Sequence, residues 1–295
     1  MIEGEPNNLE RDSSLREVLG YIEENSRVLR NEGVPVDDVG RIDMSFYLED
    51  KHYSKPSVKN HIKMVDEKAS NRYEREHGKV SKDMHDIGEE RLKTSGEKFE
   101  ILKTAIFQKN MGENYVVVRS SLYDDNINHV DNIIMNRETG DIVCAIDETT
   151  GKFPGDSNIE KKKSEIMKMD VKGGASLVYG IGISDGQIVL KESEHVPIFY
   201  LVMPREQVDN ELKIFNAKTN ASSQSLEEKT LFNVFAGHII LQTDIITARA
   251  RSSATNLPRE FVQRMASFKQ FLSTKFEIDP TSKEFLAGVK KRMRV

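Results

Sequence analysis

His129-Val130-Asp131-Asn132-Ile133-Ile134-Met135 and, past a short polar break, Ile142-Val143-Cys144-Ala145-Ile146-Asp147-Glu148 decide how this chain folds. Each is a run of β-forming side chains that carries an acid, and Glu138-Thr139-Gly140-Asp141 between them has turn chemistry. Strands joined so closely pair antiparallel, which lets their acids converge at one sheet edge. Asp131 lies among apolar strand residues, where a carboxylate needs a partner. Asp147 ends its run and Glu148 follows; neighbours on a strand face opposite sides, so only one of the two joins Asp131.

Working outward, Tyr115-Val116-Val117-Val118-Arg119-Ser120-Ser121-Leu122 is a further β-rich run, and the turn-like Asp124-Asp125-Asn126 makes the three a meander. Ahead of it, Leu92, Phe99, Leu102 and Ile106 recur at helical spacing and predict a helix over 81–110, closed by Gly112. Behind it, Ser157 or Asn158 caps a helix over 158–171. Residues 175–183 and 187–190 read as a hairpin turning at Ser184-Asp185-Gly186. The almost wholly apolar 197–203 reads as a strand buried on both faces, stopped by Pro204 and followed by a helix through Val208 and Leu212.

The flanks have helical patterning. Ser14 and Glu17 form a capping box ahead of Leu15, Val18, Leu19 and Ile22, with Gly33 as the stop, and Pro56 opens a second helix that ends near Gly78. Between them 41–48 reads as a short strand. A polar linker over 216–225 leads to a second capping box, Ser225 with Glu228, a long helix to Arg251, and helices over 258–275 and 281–293. The expected organisation is a helical region over 1–80, an α/β core over 81–215 and a helical region over 216–295.

Bulk properties exclude several classes. With 37% hydrophobic and 31% charged residues the chain has the composition of a folded protein. The single Cys144, inside an apolar run, excludes an internal disulfide and a cysteine-based zinc site. The first residues lack the pattern of a signal peptide, and no unbroken apolar run reaches membrane-spanning length, so a cytoplasmic protein with no membrane partner is expected. A net charge of −5 does not advertise nucleic-acid binding, although Lys161-Lys162-Lys163 is locally basic. Asp124-Asp125-Asn126 fails as an EF-hand loop because His129 and Met135 stand where Gly and Glu are needed. Gly180-Ile181-Gly182 fails as a dinucleotide loop because a strand follows it.

Helix, three meandering strands, helix, buried strand is the order αβββαβ, and with acids on the second and third strands it resembles the PD-(D/E)xK family of nucleases. The resemblance covers about 115 residues, and it implies a restriction-endonuclease-like mixed α/β core with helical N- and C-terminal additions. It further implies Mg²⁺ or Mn²⁺ bound by Asp131 and Asp147, with Glu148 as the alternative second acid. The resemblance makes Glu100 on the preceding helix an assisting acid, with Glu97 as the other candidate; His129, two residues before Asp131, is either a substrate contact or, as the plainer account, a turn or surface histidine. The implied reaction is phosphodiester hydrolysis, on DNA rather than RNA.

The family's lysine two residues after the second acid is missing, because Thr149 and Thr150 stand there. Lys152, Lys162 or Lys163 is then the displaced amine. Two other readings stay open: a catalytically inactive module that binds or assembles, with a protein partner or second copy on its helical regions, and an unrelated α/β scaffold whose acids are turn formers.

Overall fold

The computed structural model describes residues 8–78, 84–151, 156–252 and 256–275. The chain opens with helix α1 (Asn8–Asn31), a 3₁₀ turn (Met44–Leu48) and helix α2 (Lys55–His77), with Pro56 in its first turn and the left-handed Gly78 as its cap. Helices α3 (Met84–Leu92) and α4 (Ser95–Met111) follow. They are separate because Thr94 breaks the run, its hydroxyl accepting from the Glu97 amide as a new N-cap. The expected single helix over 81–110 is thus two, and its expected start at Ser81 lies outside the described residues.

Strand β1 (Tyr115–Arg119), helix α5 (Leu122–Asn128), strand β2 (Asn132–Asn136) and strand β3 (Ile142–Gly151) come next. Helix α6 (Ser157–Val171) then leads through β4 (Ala175–Leu177), β5 (Ile181–Ser184), β6 (Gln187–Leu190) and β7 (Ser193–Val196) to β8 (Ile198–Pro204). Helices α7 (Arg205–Ile214), α8 (Leu226–Ser252) and α9 (Arg259–Lys275) close the described chain. The helix expected over 281–293 lies outside it.

The main sheet runs β1-β2-β3-β8, antiparallel across the first two pairings and parallel across the last. Parallel pairing requires a crossover, and α6 with the small strands supplies it. The β5–β6 hairpin turns where expected, with Asp185 and Gly186 both at positive φ, as its two-residue loop demands. The expected long first arm is instead divided: Ala175–Leu177 leaves the hairpin and pairs with β7, which sequence patterning missed.

Two further expectations are corrected. Residues 41–48 are not a strand; isolated bridges hold Ile42 to Val36 and Arg41 to Arg119, after which Asp43 caps the 3₁₀ turn. Asp124-Asp125-Asn126 is not a turn but the first part of α5, because the Ser121 hydroxyl accepts from the Asp124 amide.

Side chains alternate between two apolar clusters, one on each face of the sheet. Val117, Cys144, Ile146, Phe199 and Leu201 pack with α1, α4, α7, α8 and α9, whereas Val116, Val118, Ala145 and Ile198 pack toward Ile42, Tyr47 and Ile166 of α6. Leu15 and Leu272 belong to the same cluster, so helices from both ends of the described chain share the core around α4. Among the described residues one helix, α8, is long and apolar enough to cross a membrane, and 61% of its apolar window is buried inside this fold.

Candidate metal centre

Alternation along β3 separates its two acids. Ile146 faces the α4 cluster and Ala145 the α6 side, so Glu148 points toward α4 and Asp147 toward α6. Asp131 sits just ahead of β2, where its amide donates to the Ile146 carbonyl at 2.9 Å. Its Oδ2 accepts from the Glu148 amide at 2.7 Å, which fixes the carboxylate against β3.

Helix α4 contributes from the other layer. Glu100, Lys103, Thr104 and Gln108 form a buried polar stripe on a helix whose buried apolar residues include Phe99, Ile101, Leu102, Ala105, Ile106 and Phe107. Every member of the stripe has a partner. Thr104 accepts from Asn132 at 2.8 Å, Gln108 donates to the Val117 carbonyl at 3.0 Å, and the fully buried Lys103 ammonium is in contact with the Glu148 carboxylate. Glu100 Oε1 accepts from Arg41 Nη2 at 2.9 Å and Arg119 Nε at 2.7 Å.

One carboxylate oxygen each from Glu100, Asp131 and Glu148 lies within 4.8 Å of the others. Oxygens bound to one hard cation at about 2.0 to 2.6 Å are themselves at most about 4 to 5 Å apart, so this set could hold a metal ion. Asp147 lies outside that trio. Its carboxylate contacts the Lys162 ammonium, which also donates to the Glu148 carbonyl and lies 4.0 Å from Asp131 Oδ2.

Burial drives the electrostatics. It pushes the carboxyl of Glu148 well up, Asp131 adding to the effect and Lys103 opposing it. Asp147 also rises well above the usual range through burial and the neighbouring Asp131. Asp131 goes the other way: burial alone would raise it, but the Lys162 and Lys103 charges, with side-chain hydrogen bonding to Asp147 and Glu148, outweigh that and hold it down. The two neighbouring carboxyls are thus pushed in opposite directions, which makes Asp131 the ionised member.

Further ion pairs lie behind Glu100. Arg119, buried, contacts both Glu97 and Glu100; Arg91 reaches Glu97 at 2.8 Å; and Asp125, pushed up to about 6 chiefly by burial, accepts from Arg41 at 3.3 Å. Six carboxylates (Glu97, Glu100, Asp125, Asp131, Asp147, Glu148) thus meet five cations (Arg41, Arg91, Arg119, Lys103, Lys162).

The two sides of the site differ in access. On the α6 side a cavity of ≈ 220 Å³ is lined by His129, Asp147, Lys161, Lys162 and Glu165. His129, in a left-handed conformation as the cap of α5, stands at that cavity rather than in the trio. Lys162 reaches the acids, whereas the ion pair of Lys163 is with Glu160 at 3.5 Å. Lys152 lies outside the described residues. Of the other expected residues, Glu100, Asp131 and Glu148 are brought together, and Glu97 is one step removed behind Arg119.

Sequence reading missed Lys103, Arg41 and Arg119. The signal for Lys103 was present: polar residues at 100, 103, 104 and 108 repeat at helical spacing inside an apolar helix, and such a stripe faces something other than solvent. Arg41 carries no local signal, because its partners are distant in sequence. No protein-family model matches the chain, and neither a curated protein nor a solved structure matches it.

Proposed function

We propose that the protein is a metal-dependent nuclease of restriction-endonuclease-like fold that hydrolyses phosphodiester bonds, on DNA rather than RNA. The observation that carries this reading is the convergence of Glu100, Asp131 and Glu148, from helix α4, the residue just ahead of β2 and the adjacent strand β3, into one buried oxygen-donor set. The order α4, β1, β2, β3, α6, β8 around the sheet supports it, since the resemblance read from the sequence implies that order.

In this reading Glu100, Asp131 and Glu148 hold the ion. A bound Mg²⁺ supplies charge neutralisation at phosphorus and acidifies water for attack. The chain's own groups do the rest. Asp131 stays ionised, and the buried trio excludes competing water from its α4 side. Lys162, with 29% of its side chain exposed, is the displaced amine: it presents a positive charge to a phosphate arriving through the cavity, with Lys161 beside it.

The test is incubation of linear, circular and single-stranded DNA and of RNA with Mg²⁺ or Mn²⁺. Wild type is expected to cleave DNA and Asp131→Asn to lose at least about a hundredfold of that rate while melting normally, because asparagine keeps an acceptor for the Glu148 amide. Equal cleavage by the two proteins would refute the assignment.

One observation favours a second reading, a binding or assembly module without catalysis. The Lys103 ammonium already neutralises Glu148 from within the core. Absence of cleavage together with absence of metal binding would select it.

A further inference from the structure

The candidate metal centre depends on one residue from far upstream. Arg41 is 6% exposed, and its guanidinium divides among three acceptors: Glu100 Oε1 at 2.9 Å, the Ser120 carbonyl at 3.0 Å and Asp125 Oδ2 at 3.3 Å. The backbone that carries it is equally fixed. The Arg41 amide donates to Asp37 at 2.7 Å, the Ile42 amide to the Arg119 carbonyl at 3.0 Å, and the Arg119 amide to the Gly40 carbonyl at 2.7 Å. The segment around Arg41 thus lies along the free edge of β1, opposite β2.

The stereochemistry at Glu100 gives that arrangement a consequence. A carboxylate oxygen offers about two lone-pair directions, and Arg41 Nη2 and Arg119 Nε occupy both on Oε1. Neither of these arginine bonds falls on Oε2, and a Glu100 carboxylate oxygen lies within 4.8 Å of oxygens of Asp131 and Glu148. We propose that Arg41 is a positioning residue of the metal centre: with Arg119 it locks Glu100 so that Oε2 completes the donor set, which makes the N-terminal segment part of the site. The inference rests on the metal-centre reading above.

Arg41 could hold the segment to the sheet and do nothing more, so the test needs a tie of that kind elsewhere. Arg137 provides it, donating to the Gly112 carbonyl at 2.8 Å and pairing with Glu32 of the region after α1 at 2.6 Å, without touching the acids. Mn²⁺ affinity is read from the loss of the free-ion electron paramagnetic resonance signal in the full chain. Arg41→Met is expected to weaken Mn²⁺ binding about 10- to 100-fold, the usual size of an outer-shell loss, and Arg137→Met to leave it within about twofold. Arg41→Lys keeps the charge but not the planar fork, so it is expected to fall between wild type and Arg41→Met, and it serves where the methionine variant fails to fold.

Wild-type affinity in both Arg41 variants would overturn the inference, as would an equal loss in Arg137→Met. Wild type that binds no Mn²⁺ would instead overturn the metal-centre reading and the inference with it.

Discussion

The two faces of β3 treat adjacent acids in opposite ways. Glu148, on the α4 face, is sealed against a lysine with no exposed surface, and behind it stand Glu100, Arg41, Arg119 and Glu97 in continuous ion pairing. Asp147, on the α6 face, meets a lysine that is 29% exposed at the wall of a cavity. Asp131 lies at the seam and is bonded toward both. One face is a preset electrostatic frame and the other is an approach path. Both acids are buried, and strand alternation turns them to different partners: a single step along β3 exchanges a fully buried lysine for one that is partly exposed.

That contrast sets the order of mutational effects. Arg119→Met removes a buried cation from two carboxylates at once and is expected to cost about 3–5 kcal/mol in urea denaturation, the largest loss in the set. Lys103→Met leaves Glu148 able to take up a proton, so the expected loss is smaller, about 1–3 kcal/mol by the same measurement. Lys162→Met breaks a partly solvated contact and is expected to cost at most about 1 kcal/mol, yet to reduce cleavage more than Lys103→Met does at equal folded fraction. Should Lys162→Met prove the more destabilising of the two, the frame-and-approach division would fail.

The smallest effect is a slope. Asp170, at the end of α6, accepts from the Ile198 amide at 3.2 Å and is pushed well above the usual range by burial, which outweighs that bond. As pH rises above the unfolded value of 3.8, the unfolded chain releases this proton while the folded chain keeps it. The folded state then binds more protons, so this contribution to stability declines with pH until Asp170 ionises in the fold as well. Asp170→Asn is expected to remove that decline from a plot of Tm against pH. An unchanged slope would mean that Asp170 is ionised in the folded state.

Much of the framework was legible in the sequence because continuous runs of β-forming apolar residues and a Pro stop mark β1, β3 and β8, and because Ser225 with Glu228 marks the start of α8. Asp131 and Glu148 were legible as acids on apolar runs, but which of Asp147 and Glu148 faces α4 was not, since that depends on which face the layer of helices covers. Two errors have local causes. Asp124-Asp125-Asn126 has turn composition, yet Ser121 three residues before Asp124 is an N-cap and turned the segment into α5. Thr94 hid a second cap inside what looked like one helix. The buried cations were missed for a different reason. Lys and Arg on a helix or at a strand end are ordinarily solvated, and only the tertiary approach of their acids makes burial affordable.

The most direct test is a calorimetric Mg²⁺ titration of wild type beside Glu148→Gln and Asp147→Asn. The account predicts one bound ion in wild type, loss of binding in Glu148→Gln, and binding retained to within about tenfold in Asp147→Asn, since that residue lies outside the trio. Binding that survives in Glu148→Gln but disappears in Asp147→Asn would contradict it.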